Sequence, residues 1–381
     1  MTDSGPSAYL SYEPARVTPP PAPKPPRRKG GGIAVLIAAA LFLGALFGAG
    51  VTTLVDDPAP VVLPVQPVAE QAVAAQQPAP SGLFDPAAIG SRVIPSVVTV
   101  EVGATQGGEF AQTASGSGVA IDEQHIITNN HVVDGATAVQ VVLSDGRVYQ
   151  AEVVGTDPIT DVAVLLVAVP DLQPIAFGST DSLSVGEPAI AVGSPLGLDG
   201  GPSLSVGVIS ALEREVQTTP EIILFGMIQT DAPITNGSSG GALVDRDGAL
   251  IGITTAVGAS QLGIEGIGFA TPIEIVQRVA DDIIETGEAS HALLGILGST
   301  AYESIGDEGV APIGVAIEEV TPDSAAAGAG VRQGLVITAA DGVPVRTMDE
   351  LITLLRHYGA GDTVTLDFVD ADAITLQLGA R

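Results

Sequence analysis

"TDAPITNGSSGG", residues 230–241, sets two adjacent serines in a run of glycines pinned between two strand-like segments, "IQTDAPI" and "ALVDRDGALIGI". A serine hydroxyl is a poor nucleophile until a base takes its proton, and the tetrahedral intermediate of acyl transfer needs donors for its oxyanion. Backbone amides supply those donors where the loop turns them inward. Gly237 lies two residues before Ser239, so the amides of Gly237 and Ser239 can converge on one oxygen while Gly240 and Gly241 let substrate approach. That pattern favours Ser239 over Ser238. Taken alone, the stretch also fits a Gly/Ser linker, although a linker needs no flanking strands.

A base for Ser239 must come from His125, His131, His291 or His357. In "HIITNNHVVDG", residues 125–135, His131 follows the strand-like "IIT" at a position where a side chain faces a cleft. His125, at the polar start of the same run, is expected at the surface, as are His291 and His357 further along. The acid that holds an imidazole in one tautomer must be buried and paired. "TDPITDVAVLLVAV" offers Asp157, which precedes a proline and reads as a turn residue, and Asp161, which opens an apolar strand. An aspartate at the mouth of a buried strand is costly without a partner, which selects Asp161.

Absences remove other chemistries. There is no cysteine and no lysine after Lys29, so thiol nucleophiles, disulfides, Cys-ligated zinc and a Ser-Lys dyad are excluded from the main body of the chain. No histidine pair has the HExxH metal spacing, and neither a metal nor an organic cofactor is implied. Residues 56–381 hold 9 basic and 42 acidic residues, net −33, which disfavours binding to nucleic acid.

The N-terminal region reads as a membrane tether. Residues 1–32 are polar and Pro-rich, with all five of their basic residues ahead of Ile33–Val55, a run of 23 residues without charge. At the helical rise that run reaches roughly 35 Å, enough to cross a bilayer, and the charge bias puts the N-terminus in the cytoplasm and the remainder outside. A cleaved signal peptide fits less well, because the tail is long and no clear A-x-A site follows. Residues 56–84 form a Pro/Ala/Gln-rich linker.

Between residues 85 and 288 come many short Val/Ile-rich runs broken by Gly, Asp and Pro, with "SDGR" marking a hairpin, a pattern of barrels or sandwiches. Only 3% of residues are aromatic, so the cores should be aliphatic. Residues 289–381 change character: strand-like "GVAIEEV" and "DTVTLDFV" flank a helix in which Thr347 and Glu350 form a capping box, Leu351, Leu354 and Leu355 share a face, and Gly359 is placed to close the C-terminus. This is an α+β module.

The order His131, Asp161, Ser239 matches that of the chymotrypsin-like double barrel. "TNNHVV", "TDVAVLLV", "AVGSPLGL", "SVGVISALER", "GSSGGALVD" and "GIGFATP" together resemble successive motifs of the HtrA/DegP family of trypsin-like serine proteases, and "LLGILG", "VTPDSAAAGAGV" and "DGVPVRTMDELITLL" resemble its PDZ module. The resemblance implies a mainly β protein: a double β-barrel protease domain over 85–288, a PDZ domain over 289–381 and an N-terminal transmembrane helix. It implies that His131 is the general base, Asp161 its orienting acid, Ser239 the nucleophile, and the Gly237 and Ser239 amides the oxyanion hole. It also implies a PDZ carboxylate loop at Leu293, Leu294, Gly295, Ile296, Leu297 and Gly298, peptide C-termini and unfolded exported polypeptides as partners, and a homotrimer. The chain departs from the family in having Ser238 for Asn, Asn236 for Pro, and "GLVI" at Gly334–Ile337 for "GDVI". Pro233 replaces the aspartate of a trypsin pocket, so cleavage after small or medium apolar residues is expected. The rival reading is an anchored, non-catalytic chaperone or peptide-binding scaffold; a regulatory protease with one membrane substrate is a third.

Overall fold

The computed structural model describes residues 84–380, apart from 108, 196–199, 220–221, 256–265 and 307–308. The expected transmembrane segment 33–55 lies outside the described residues, among which no helix is long and apolar enough to cross a membrane.

Six antiparallel strands close a first barrel in the order β1-β2-β3-β6-β5-β4: β1 Val97–Gln106, β2 Glu109–Ala120, β3 His125–Thr128, β4 Ala138–Val142, β5 Val148–Asp157 and β6 Val162–Val167. A second barrel runs β10-β11-β12-β9-β8-β7, from β7 Pro188–Gly193, β8 Ser203–Gln217, β9 Ile223–Thr230, β10 Ala242–Val244, β11 Leu250–Thr255 and β12 Gly268–Pro272. The "SDGR" hairpin joins β4 to β5, with Gly146 at φ 88°.

Strands such as β6 read as unbroken apolar runs because both of their faces are covered. Ala163 and Leu165 fill the first barrel, while Val162 and Val164 join a cluster between the barrels with Val97, Ile127, Ile190, Val192 and Ile253. The largest fully buried side chains are Ile, Leu and Met, the aliphatic core the composition calls for.

Among the described residues, three α-helices interrupt the stretch read as strands. Helix α1, Pro86–Val93, starts on Asp85, whose carboxylate accepts the amides of Ala87 and Ala88, and has proline in its first turn. After the single turn α2, Asn130–Val133, comes α3, Ile273–Thr286, closed by Gly287 at φ 86°. Its Ile275, Val276, Val279, Ala280 and Ile283 recur at helical spacing and pack on the cluster between the barrels.

The C-terminal module contains a six-stranded sheet. Its strands are β14 Ile296–Ser304, β15 Val310–Val320, β16 Val336–Ala340, β17 Val343–Pro344, β18 Thr363–Phe368 and β19 Ala371–Gln377; β13 Ala292–Leu293 pairs with β20 Gly379–Ala380. Helix α4, Ala325–Gly328, is capped by Ser324, and α5, Met348–Leu355, by Thr347. Two details of the α5 reading need correction. The Glu350 carboxylate accepts the amide of Arg346 at 2.6 Å rather than that of Thr347, so only half of the capping box forms. The helix ends at Leu355 and its C-cap is Arg356, whose amide bonds back to Ile352 and Thr353, three residues before Gly359, which therefore plays no part in the cap. Barrels and C-terminal module belong to one compact unit.

Candidate active site

Strand β3 delivers the chain into the gap between the barrels, and the α2 turn that follows projects His131. Its partner is Asp161, in the turn between β5 and β6. Asp161 sits at φ 58°, a left-handed conformation that aspartate tolerates better than most residues. Both of its carboxylate oxygens are used: Oδ1 accepts the His131 amide at 2.9 Å, and Oδ2 lies 2.7 Å from His131 Nδ1. The Asp161 carbonyl is fixed in turn by Asn129 Nδ2 at 2.8 Å and the Asn130 amide at 3.2 Å. The carboxylate is nearly buried, whereas the imidazole is 47% exposed. A carboxylate on Nδ1 calls for the proton there, which leaves Nε2 with a lone pair directed outward.

The Ser239 loop is no flexible spacer, because the opposite barrel holds it. The Ser117 amide donates to the Ser239 carbonyl at 2.7 Å, and Ser117 Oγ donates to the Gly237 carbonyl at 2.7 Å while accepting the Ser194 amide at 2.7 Å. Thr254 Oγ1 and the Gly241 amide both donate to the Ser238 carbonyl, at 2.6 and 3.0 Å, and the Gly240 amide donates to Thr254. Gly237 lies at φ 90°. At Gly240, φ is 84° and a Cβ would stand 2.2 Å from the Ser117 carbonyl oxygen, so only glycine fits. Ser239 is buried and Ser238 half-buried. A methyl group built on Gly116 would touch Val132 at 2.7 Å and the Ser239 carbonyl at 3.2 Å. The His131 turn and the Ser239 loop therefore meet over a residue that has no side chain.

Ser117, Thr128, Asn129 and Thr254 were not singled out from the sequence, yet they tie this site together. Thr128 Oγ1 donates to the Ser117 carbonyl at 2.7 Å, and Asn129 Nδ2 also reaches Thr255 Oγ1 at 3.2 Å. The available signal was a polar residue embedded in a strand of otherwise apolar or small residues, as in "GSGVAI" and "GITTAV".

The remaining histidines divide. His125 is partly covered, with Nδ1 2.7 Å from Asp122 Oδ2, and His357 is exposed, as expected. His291 is not at the surface: its side chain is 6% exposed and its Nε2 lies 3.0 Å from Asp157 Oδ2. Asp157 does form a turn, its Oδ1 accepting the Ile159 amide at 3.1 Å, but it too is buried. Pro233 is exposed, its carbonyl accepting Ser205 Oγ, and the next residue, Ile234, packs against the backbone of Gly268.

In the C-terminal module, the carbonyls of Leu294 and Gly295 point toward α4, accepting the amides of Ala326 and Thr321. Trans peptide geometry then turns the amides of Gly295 and Ile296 away from α4. Leu294 is buried, Leu293 and Leu297 are exposed, and Ile296 and Gly298 lie on β14. Among the described residues, no group of three or more His, Asp or Glu side chains is placed to hold a metal ion.

Residues 116–253 match the trypsin-like peptidase domain model and residues 287–372 the PDZ domain model. The solved HtrA-type protease AlgW with a tripeptide superposes with a TM-score of 0.62 at 31% identity, covering 78% of this chain and 97% of that one. The chain belongs to the HtrA-type serine protease family. Curated relatives include the serine protease PepD of Mycobacterium tuberculosis, 38% identical over 74% of this chain, and the periplasmic serine endoprotease DegP of Escherichia coli, 40% identical over 66%. The HtrA chain described here spans 62% and 54% of those two proteins' lengths. Its two barrels carry the peptidase match and its C-terminal sheet the PDZ match.

Proposed function

We propose that this protein is a membrane-anchored serine endopeptidase acting outside the cytoplasm. The observation that carries the reading is the two-point grip of Asp161 on His131 beside a rigid, glycine-framed Ser239 loop. Ser239 Oγ attacks the scissile carbonyl as His131 Nε2 takes its proton, and Asp161 stabilises the imidazolium. The amides of Gly237 and Ser239 receive the oxyanion. His131 returns the proton to the leaving amine, and water then hydrolyses the acyl-enzyme by the same path in reverse.

Pro233 and Ile234 in place of an acidic pocket base fit cleavage after small or medium apolar residues such as Val, Ala or Leu; a peptide-library profile dominated by Arg or Lys would refute this. The PDZ domain, residues 289–381, takes peptide C-termini at Leu293–Gly298, where a peptide adds as a strand between β14 and α5. Ile33–Val55 anchors the chain, residues 56–84 tether a protease domain over 85–288, and unfolded or damaged exported proteins are the substrate class. A homotrimer is the assembly proposed.

The test uses the full-length chain in detergent, a fluorophosphonate probe and mass-spectrometric mapping of the modified residue. Labelling at Ser239 is expected to survive Ser238→Ala and to vanish with Ser239→Ala or His131→Ala. No labelling of the parent, even with an unfolded protein or a C-terminal peptide added, would favour the non-catalytic scaffold.

A further inference from the structure

We infer that His291, in the segment joining α3 to β13, is a positioning residue for Asp161, acting through Asp157 and Thr160. The inference rests on the reading of Asp161 as the triad acid.

The turn from Asp157 to Asp161 is built around one carboxylate. Asp157 Oδ1 accepts the Ile159 amide at 3.1 Å, and Oδ2 accepts both the amide and the hydroxyl of Thr160, at 3.2 and 2.5 Å. Thr160 immediately precedes Asp161, whose left-handed backbone leaves it little freedom to rotate alone. Whatever fixes the Asp157 carboxylate therefore fixes the direction in which Asp161 presents its two oxygens to His131. From outside the turn that fixing comes from His291 Nε2, 3.0 Å from Asp157 Oδ2, with both side chains at least nine-tenths buried.

His291 is itself held in place. The preceding residue, Ser290, gives its amide and hydroxyl to Asp282 Oδ2 at 3.0 and 2.8 Å, and its carbonyl accepts Arg278 Nη1 at 2.7 Å. Arg278 also spans Asp282 and the Arg356 carbonyl, and its charge reaches Asp157. Burial alone would raise the Asp157 carboxyl, yet the His291 contact and charge, with the Thr160 hydroxyl, hold it below the ordinary carboxylate range. Without His291, Asp157 would be a buried carboxylate that has lost its 3.0 Å contact from outside the turn, and such a group moves or protonates. Either response loosens Thr160 and with it Asp161, and small displacements of catalytic groups cost large factors in rate.

The test compares the full-length parent with His291→Ala, His291→Gln, Asp157→Asn and the double variant His291→Ala/Asp157→Asn. Readouts are kcat and KM on a short apolar peptide, and the low-field proton resonance of His131 Nδ1. The expected result is a loss in kcat of about tenfold or more for His291→Ala with KM within about twofold, and a displaced resonance. His291→Gln, which keeps a donor toward Asp157, should fall between and covers the case in which His291→Ala fails to fold. The double variant should be no slower than the worse single one, since both changes break the same link. A kcat within twofold of the parent in His291→Ala, a His291→Gln variant as slow as or slower than His291→Ala, or losses that multiply in the double variant, would overturn the inference while leaving the triad reading intact; where His291→Ala does not fold, a His291→Gln with parental kcat and an undisplaced His131 resonance overturns it. A parent that neither hydrolyses peptide nor labels at Ser239 would remove the functional reading and this inference together.

Discussion

Replacing Asp161 by asparagine tests the catalytic reading at its narrowest point. The aspartate accepts two hydrogen bonds from one residue, the His131 amide at Oδ1 and the ring nitrogen Nδ1 at Oδ2. An asparagine has a single acceptor oxygen. The backbone amide of His131 is an obligate donor, so the oxygen must face it and the NH2 group must face Nδ1. That pairing forces the ring proton onto Nε2, the atom that should take the proton of Ser239. Asparagine tolerates the 58° φ about as well as aspartate, and the Asn129 and Asn130 bonds go to the unchanged main-chain carbonyl. The fold should accordingly lose no more than about 1 kcal/mol, the scale of one neutral hydrogen bond. Catalysis should lose about 10⁴-fold in kcat, or about 5.4 kcal/mol at 1.36 kcal/mol per decade. The assay is steady-state hydrolysis of an apolar peptide at neutral pH, with thermal melting of the same samples and fluorophosphonate labelling of Ser239 as controls. If Asp161→Asn stays within tenfold of the parent at equal stability, the assignment of a tautomer-setting acid is wrong.

Three further outcomes follow from the same geometry. Gly240→Ala should destabilise the protein by about 2–5 kcal/mol in urea titrations, because its Cβ would meet the Ser117 carbonyl at 2.2 Å with φ at 84°; a change under 1 kcal/mol would show that the loop shifts freely. Ser117→Ala leaves the Gly237 carbonyl and the Ser194 amide without that hydroxyl, and should cost about 2–4 kcal/mol of stability and about tenfold in kcat, with little change in KM. For Asp157 the folded carboxyl lies below its ordinary value of 3.8, so its stabilisation is fully present above that pH and is lost as pH falls through the folded value. The stability gap between the parent and Asp157→Asn, measured by urea titration, should be open at neutral pH and narrow as the pH falls below 3.8; a gap that is constant with pH would contradict a carboxyl held low by its partners.

The barrels were legible because their strands are covered on both faces: "VAVLLVAV" is apolar without alternation, and β6 sends Ala163 and Leu165 one way and Val162 and Val164 the other. Helix α3 was equally present in the sequence, in the spacing of Ile275, Val276, Val279 and Ile283 ahead of Gly287, but it was hidden among β-branched residues that read as strand. The same local logic explains the half-formed capping box, since the position of Glu350 says that it reaches back but not to which amide.

The histidines show where such reasoning stops. Asp161 could be chosen over Asp157 on the cost of burying an unpaired carboxylate, and the partner that this cost demands, His131, lies in a short, nearby turn. The same cost applies to Asp157, which is buried as deeply and must also find a partner. Its partner, His291, comes from beyond the second barrel, in a segment whose sequence, "GEASHALLG", has the look of exposed linker. Nothing local marks that imidazole as interior; its burial is a consequence of α3 folding back across the barrels and Arg278 clamping Ser290 from the far side. The residues proposed for the triad are recognisable one by one because the chemistry restricts residue type. The groups that hold them are ordinary serines, threonines, an asparagine and a histidine, and what makes each of them matter is the backbone atom or carboxylate that tertiary structure brings within hydrogen-bonding distance.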